Sequence, residues 1–270
     1  MNTLQTRILP VALVAVAVFL SSCSTVPVTG RSQLNIIPAS TMQSMSYQQY
    51  GEFLQTHQVS RDQSKIQMVQ RVGANIKNAV ELYFKQKGLS DQLNGYRWEF
   101  NLVESPEVNA WCMPGGKVVV YSGILPITQT ETGLAVVMGH EIAHAIAEHG
   151  SERMSQGLIT QLGGMALNEA LSSKPEQTRA LYMSAFGLGA QVGVLLPFSR
   201  LHESEADKLG LIFMAMAGYN PNEAVTFWQR MAANKGGQAP PEFLSTHPSD
   251  ATRIQDLKAA LPEAMKYYKK

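Results

Sequence analysis

The chain has 270 residues, 45% of them hydrophobic, 16% charged and 8% aromatic, a composition that can bury a core and excludes a largely disordered chain. Lys and Arg number 22 against 21 Asp and Glu, which leaves no basic excess for binding nucleic acid. The two cysteines, Cys23 and Cys112, can build neither a disulfide framework nor a cysteine zinc site, so any metal must be held by His and carboxylates.

Arg7 is the only charge in the first thirty residues, and the apolar run from Ile8 to Leu20 ends at Ser21-Ser22-Cys23-Ser24. This pattern predicts a signal peptide over residues 1–22. The run is shorter than the ~20 residues of a membrane span, and Pro10 interrupts its start. Leu20-Ser21-Ser22-Cys23 resembles the bacterial lipobox. That resemblance implies that Cys23 is acylated and anchors the protein, and Ser24, in place of Asp, implies the periplasmic face of the outer membrane of a Gram-negative bacterium. Cys112 is then expected to pack as a small hydrophobe.

Residues 23–39, with Pro27, Gly30 and Pro38, read as a lipidated N-terminus and tether, and residues 40–270 as one domain. Helices are predicted from about Thr41 to His57 and from about Asp62 to Lys87, the second with Ile66, Val69, Val72, Ile76 and Val80 at helical spacing. Tyr96 to Val103 alternates as a strand, Glu104 to Val108 is turn-like, and Asn109 to Met113 leads through Pro114-Gly115-Gly116 into the run Lys117 to Tyr121. Helical spacing returns from Glu131 to about Met154. Residues 155–200, rich in Gly, Ala, Leu and Met, read as two helices split by the polar turn Ser172 to Gln177, the second spanning Leu181 to Leu196. Glu203 to Ala217 is helical, Asn220-Pro221 offers a cap for a helix to about Asn234, and Ser249-Asp250 caps a last helix towards Lys266.

His140-Glu141-Ile142-Ala143-His144 is an H-E-x-x-H motif. A four-residue step turns a helix by ~400°, so both imidazoles sit on one face and one metal can touch both. Glu141 lies beside that face, where its carboxylate can reach a metal-bound water without being a ligand. His149 is tempting as a third ligand but falls half a turn away, and Gly150 stands where an extended motif would need His. Glu203, in His202-Glu203-Ser204-Glu205-Ala206-Asp207, completes a two-His-plus-Glu set of the hydrolytic type. Asp207, one turn further on, can accept the free N–H of a ligand histidine. Glu205 points elsewhere and reads as solvated or cap-forming, while His57 and His202 read as surface or structural.

At these residues the chain resembles the HtpX-like zinc peptidases, in their branch of periplasmic lipoproteins, with mitochondrial Oma-type peptidases as relatives. Four segments carry the resemblance: Asn109-Ala110 to Pro114-Gly115-Gly116, His140 to His144, Glu203 to Asp207, and Ser245-Thr246-His247-Pro248 followed by Arg253-Ile254. It implies zinc, one per chain, on His140, His144 and Glu203, with Glu141 as general base and Asp207 behind a ligand. It also implies that Asn109, Ala110, Trp111, Cys112 and Met113 align an extended substrate. His247 is implied at the mouth of the site, either donating to the oxyanion of the tetrahedral intermediate or capping the open zinc position.

The expected fold is therefore mostly helical α+β, a zincin-type metallopeptidase domain with a small sheet beside the H-E-x-x-H helix. The expected activity is a zinc-dependent endopeptidase. By resemblance its substrates are misfolded or mis-assembled envelope proteins, its membrane contact is Cys23, and its partners include the outer-membrane assembly machinery; no nucleic acid is expected. The rival reading is a periplasmic chaperone or assembly factor with a latent metal site, its flexible Gly-, Met- and Leu-rich segment 155–200 or its C-terminal helix docking a partner. That segment joins the two ligand-bearing helices, so it is also a candidate lid.

Overall fold

The computed structural model describes residues 23–26, 29–190, 196–234, 243–244, 247 and 251–269. The signal peptide, Pro27, the turn residues Ser245, Thr246 and Pro248 and the expected cap Ser249-Asp250 lie outside the described residues. The fold is α+β and mostly helical. It divides into two compact units, residues 1–39 with 148–199 and residues 40–147 with 200–270.

The segment expected to be a plain tether carries an antiparallel ribbon, β1 (Cys23–Thr25) on β2 (Ser32–Leu34). The turn between them closes through Val26 N on Arg31 O at 2.8 Å and Gly30 N on Val26 O at 3.0 Å.

The larger unit starts with α1 (Ala39–Thr56) and α2 (Gln63–Gln86). Asp62 caps α2, its carboxylate accepting from Lys65 N at 3.1 Å, and Val69, Val72, Ile76 and Val80 are buried along the stripe that the spacing predicts. The sheet has the order β3 (Glu99–Val103), β5 (Lys117–Tyr121), β4 (Ala110–Met113), with β3 parallel and β4 antiparallel to the central β5. Every residue of β5 is buried, as a strand covered on both faces must be. Pro114 and Gly115 take the two central places of the turn from Met113 to Gly116, where Gly115 supplies φ of 85°. The strand expected to begin at Tyr96 begins three residues later, because the preceding turn still holds the chain through Tyr96 N on Leu93 O.

After the short α3 (Leu125–Thr128) comes α4 (Glu131–Ile146), in which every residue from Gly133 to Ile146 is buried. The helix expected to continue to Met154 stops at Ile146. Glu148 takes a left-handed conformation, φ 56°, and α5 (His149–Ala170) starts beyond it. Such a break usually marks itself with glycine or asparagine, and Glu gives no such signal.

In the smaller unit the start of α5 receives the ribbon. Arg31 makes a double contact with the Glu152 carboxylate at 2.7 and 3.0 Å, Asn35 Nδ2 donates to Glu148 at 2.5 Å, and Ile36 N donates to Ser155 Oγ at 3.0 Å. α6 (Glu176–Ala190) folds back on α5, with Arg179 donating to Asn168 Oδ1. It begins five residues earlier than the expected Leu181, because the polar turn closes sooner, with Lys174 N on Leu171 O; the expected stretch beyond Ala190 lies outside the described residues up to residue 195.

α7 (Leu196–Met216) includes the Glu203 segment and starts ahead of it. α8 (Glu223–Ala233) begins two residues after Pro221; Asn220 Oδ1 accepts from Asn222 N at 3.1 Å and so forms a turn ahead of the helix. α9 (Ala251–Ala264) closes the unit.

The α4 cap offers a direct check on what starts the histidine helix. Thr130 Oγ1 accepts from Gly133 N at 3.0 Å, so Thr130→Ala should lower unfolding stability by about 1 kcal/mol, and Thr130→Ser should restore it. Urea denaturation of the three proteins measures this.

Candidate metal centre

Two helices cross at their glycines. A Cβ on Gly210 of α7 would stand 2.9 Å from His140 N and 3.0 Å from Gly139 C, and one on Gly139 of α4 would stand 3.0 Å from Gly210 O. Position 210 therefore needs glycine for the backbones to touch, and a side chain at Gly139 would press on the same contact. Glu203, Asp207 and Gly210 follow one another at helical spacing, so the contact turns both carboxylates towards α4.

The side chains converge tightly. His140 Nε2 lies 3.1 Å from His144 Nε2 and 3.3 Å from Glu203 Oε2, and His144 Nε2 is 3.2 Å from Glu203 Oε1. His247 Nδ1 joins them, 3.1 Å from His140 Nε2 and 2.9 Å from Glu203 Oε2. One ligand atom from each of these four buried residues lies within 4.8 Å of the others. The long sequence gap to His247 is bridged by backbone bonds, Phe243 N on Val108 O just ahead of β4 and His247 N on Phe243 O.

A second layer holds the first. Asp207 Oδ1 is 2.9 Å from His140 Nδ1, which leaves Nε2 with its lone pair facing the cluster. Arg253 donates through Nε and Nη2 to both Asp207 oxygens at 2.8 and 2.7 Å, and its Nη1 lies 3.1 Å from Glu203 Oε2. Its guanidinium lies over the Trp228 ring at 3.6 Å, and Trp228 stacks on Phe243. Arg253 marks the family resemblance in the sequence, but its bond to Asp207 spans 46 residues and follows from no local spacing. Gly210 was legible only as an isolated glycine inside a helical pattern, seven residues after Glu203.

The electrostatics fit a cation. Burial alone would raise the Glu203 carboxyl, but hydrogen bonds from His140, His144 and His247 bring it well below the usual range. Burial likewise opposes charge on His140, yet Asp207 and Glu203 outweigh it and raise that imidazole to about 9. Asp207 is lowered by Arg253 and His140 against its own burial. Glu141 is pushed up by burial, only partly offset by His247 and His140. Its Oε1 is buried with no hydrogen-bond partner among the described residues, 3.4 Å from His247 Nε2. Three carboxylates thus share the pocket with one guanidinium, and three imidazole nitrogens turn inward. A divalent metal on the His and Glu atoms answers both features.

The remaining candidates separate. Trp111 and Met113 of β4 point away from the cluster, into a group with Tyr50, Phe53, Leu54 and Tyr121. Strand alternation puts Ala110 and Cys112 on the opposite face, and burial, reinforced by the Glu141 charge, holds the Cys112 thiol well above its ordinary pKa. Cys112 is half-buried and free. Asn109 Oδ1 accepts from Ala110 N at 2.9 Å, a bond within its own strand start. Glu205, expected to be solvated, is buried, because α7 is covered on more than its metal-facing side. His202 is buried, and His57 stacks on Phe53 at 3.8 Å; neither belongs to the cluster, nor does His149.

The model of peptidase family M48 matches residues 70–261. The mitochondrial metalloendopeptidase OMA1 of Schizosaccharomyces pombe is 40% identical over 179 residues, 66% of this chain and 49% of that protein. That of Saccharomyces cerevisiae is 36% identical over 197 residues, 70% of this chain and 54% of that protein. The beta-barrel assembly-enhancing protease of Escherichia coli is 28% identical over 166 residues, 60% of this chain and 34% of that protein. The chain spans about half the length of the yeast relatives it matches.

Zinc content across four variants tests the assembly. Glu203→Gln should lose zinc while Glu205→Gln keeps it, and Asp207→Asn should bind zinc roughly 10–100-fold more weakly. Gly210→Ala gains helix propensity of about 1 kcal/mol, yet should also lower zinc affinity, because the methyl forces the two helices apart. Metal analysis after dialysis against a graded chelator reads all four.

Proposed function

The chain belongs to peptidase family M48, and on that premise we propose that it is a zinc-dependent endopeptidase. The observation that carries the reading is the convergence of His140, His144 and Glu203 with the Glu141 carboxylate beside them. Zinc, when bound by those three, supplies a polarised carbonyl and a water acidified towards neutrality. Glu141 takes the water's proton and passes it to the leaving amine; burial, by raising its pKa, suits it to hold that proton between the two transfers. Asp207 and Arg253 fix the His140 tautomer and the Glu203 carboxylate through the contacts described above.

An extended substrate segment lies along β4, an edge strand of the described sheet. Ala110 and Cys112 then face the reacting group, while Trp111 and Met113 shape the strand from behind. His247 caps the fourth zinc position at rest, which is supported by its Nδ1 standing among the ligand atoms. The site is accordingly latent until His247 withdraws. The same placement favours the second reading, an assembly factor whose metal site is closed, and the two readings part at Glu141.

The cellular setting is a bacterial envelope, with Cys23 lipidated and the protein held at the periplasmic face of the outer membrane. The sequence from Arg7 to Ser24 supports this. No helix among the described residues is long and apolar enough to cross a membrane. Mis-assembled envelope proteins are the substrates, in keeping with the name of the Escherichia coli relative.

Glu141→Gln should keep zinc and melting temperature but lower cleavage of an unfolded protein by about 10²–10⁴-fold. Unchanged turnover would remove the general base. Cellular function retained without turnover would instead select the assembly factor. His247→Ala should keep zinc on the other three ligands and cleave a short peptide faster than the parent.

A further inference from the structure

The helical hairpin of the smaller unit carries an apolar face that the described residues leave exposed. On α5, Met154, Leu158, Leu162 and Met165 are 39%, 37%, 61% and 61% exposed, and on α6, Leu181 and Tyr182 are 69% and 55% exposed. At 100° per residue the four α5 side chains fall within an arc of about 80°. This arc is not the seam of the hairpin: the two helices meet where Gly163 and Gly164 face Phe186 and Met183, and where Arg179 bonds Asn168. From residue 155 to residue 187 the charged residues are Glu169, Lys174, Glu176 and Arg179, all gathered around the turn. A large uncharged apolar face of this kind marks a contact surface.

The same unit also carries the N-terminal ribbon. Glu148, Glu152 and Ser155, which receive the N-terminal ribbon, sit about a quarter turn round α5 from the apolar arc. The ribbon begins at Cys23, paired to Leu34, and residues 8–20, separated from it by Ser21 and Ser22, are wholly apolar. On the anchored reading, acyl chains on Cys23 would start at the first residue of this ribbon, whose contacts on α5 are those just described. No described helix can span a bilayer, and charge at the turn disfavours insertion tip first.

We propose that the Met154, Leu158, Leu162, Met165 face of α5, with Leu181 and Tyr182 of α6, lies flat in the interfacial zone of a lipid bilayer. The proposal rests on the reading that the N-terminus is anchored in that bilayer. Docking at two places fixes the orientation of the unit on the membrane, which a flexible tether alone would leave free.

The test uses the full chain in a Cys112→Ala background, reconstituted into phosphatidylethanolamine–phosphatidylglycerol vesicles, with an environment-sensitive fluorophore on Leu162→Cys or, as control, on the exposed Glu81→Cys. The emission at position 162 should shift to the blue and be quenched by a lipid-borne quencher, while that at position 81 stays water-like. In a Cys23→Ser chain the quenching at position 162 should persist but require more lipid. Vesicle flotation of each protein reports the anchor separately. Water-like emission at both positions on a chain that floats with the vesicles would overturn the docking face and leave the anchor standing. A blue shift at position 162 that needs no lipid and grows with protein concentration would overturn it in favour of a second copy of the chain.

Discussion

The metal centre depends on the contact of two helix backbones at Gly139 and Gly210. One side-chain carbon at either position would have to be absorbed by moving α4 or α7. The distances from Glu203 to His140 and His144, 3.3 and 3.2 Å, leave little room for that. Burying so many polar groups is costly, and the sequence meets the cost in layers. Asp207 orients His140, Arg253 bridges Asp207 and Glu203, and Trp228 backs Arg253. His140, Glu203, Asp207 and Arg253 are thus paired with one another, and the carboxylate excess that remains is what a divalent cation neutralises.

The motif on α4 was legible because a helix converts sequence spacing directly into angle. His140 and His144 had to share a face, and His149 had to miss it. Glu203 and Asp207 were legible for the same reason, as a one-turn pair on a second helix. The sheet beside α4 was also readable, since Pro114-Gly115-Gly116 forces a turn and the run Lys117 to Tyr121 reads as a strand. What local spacing left hidden are contacts made across the chain and exceptions to local preference. Arg253 meets Asp207 only in the folded unit, and the left-handed Glu148 breaks a helix with a residue that ordinarily continues one.

β4 shows a third kind of limit. Of the five candidates Asn109 to Met113, four lie on β4, and a strand sends alternate side chains to opposite faces. Only Ala110 and Cys112 share the face of Glu141, whereas Trp111 lies edge-on to Tyr50 and Phe53. For a substrate aligned as proposed along this strand, side-chain discrimination would fall to a small residue and a thiol. The break at Glu148 matters for the same economy: it ends the buried helix at Ile146 and lets the next helix take a different task, receiving the ribbon on one face and exposing apolar side chains on another.

The central claim is that one zinc is held by His140, His144 and Glu203, with His247 closing the fourth position at rest. X-ray absorption at the zinc edge on the zinc-loaded chain counts these ligands directly. The account predicts three imidazoles and one oxygen donor, falling to two imidazoles in His247→Ala with zinc still bound. A spectrum with two imidazoles in the parent, unchanged by that substitution, would contradict the capped site, and a sulfur ligand from Cys112 would contradict the ligand set itself.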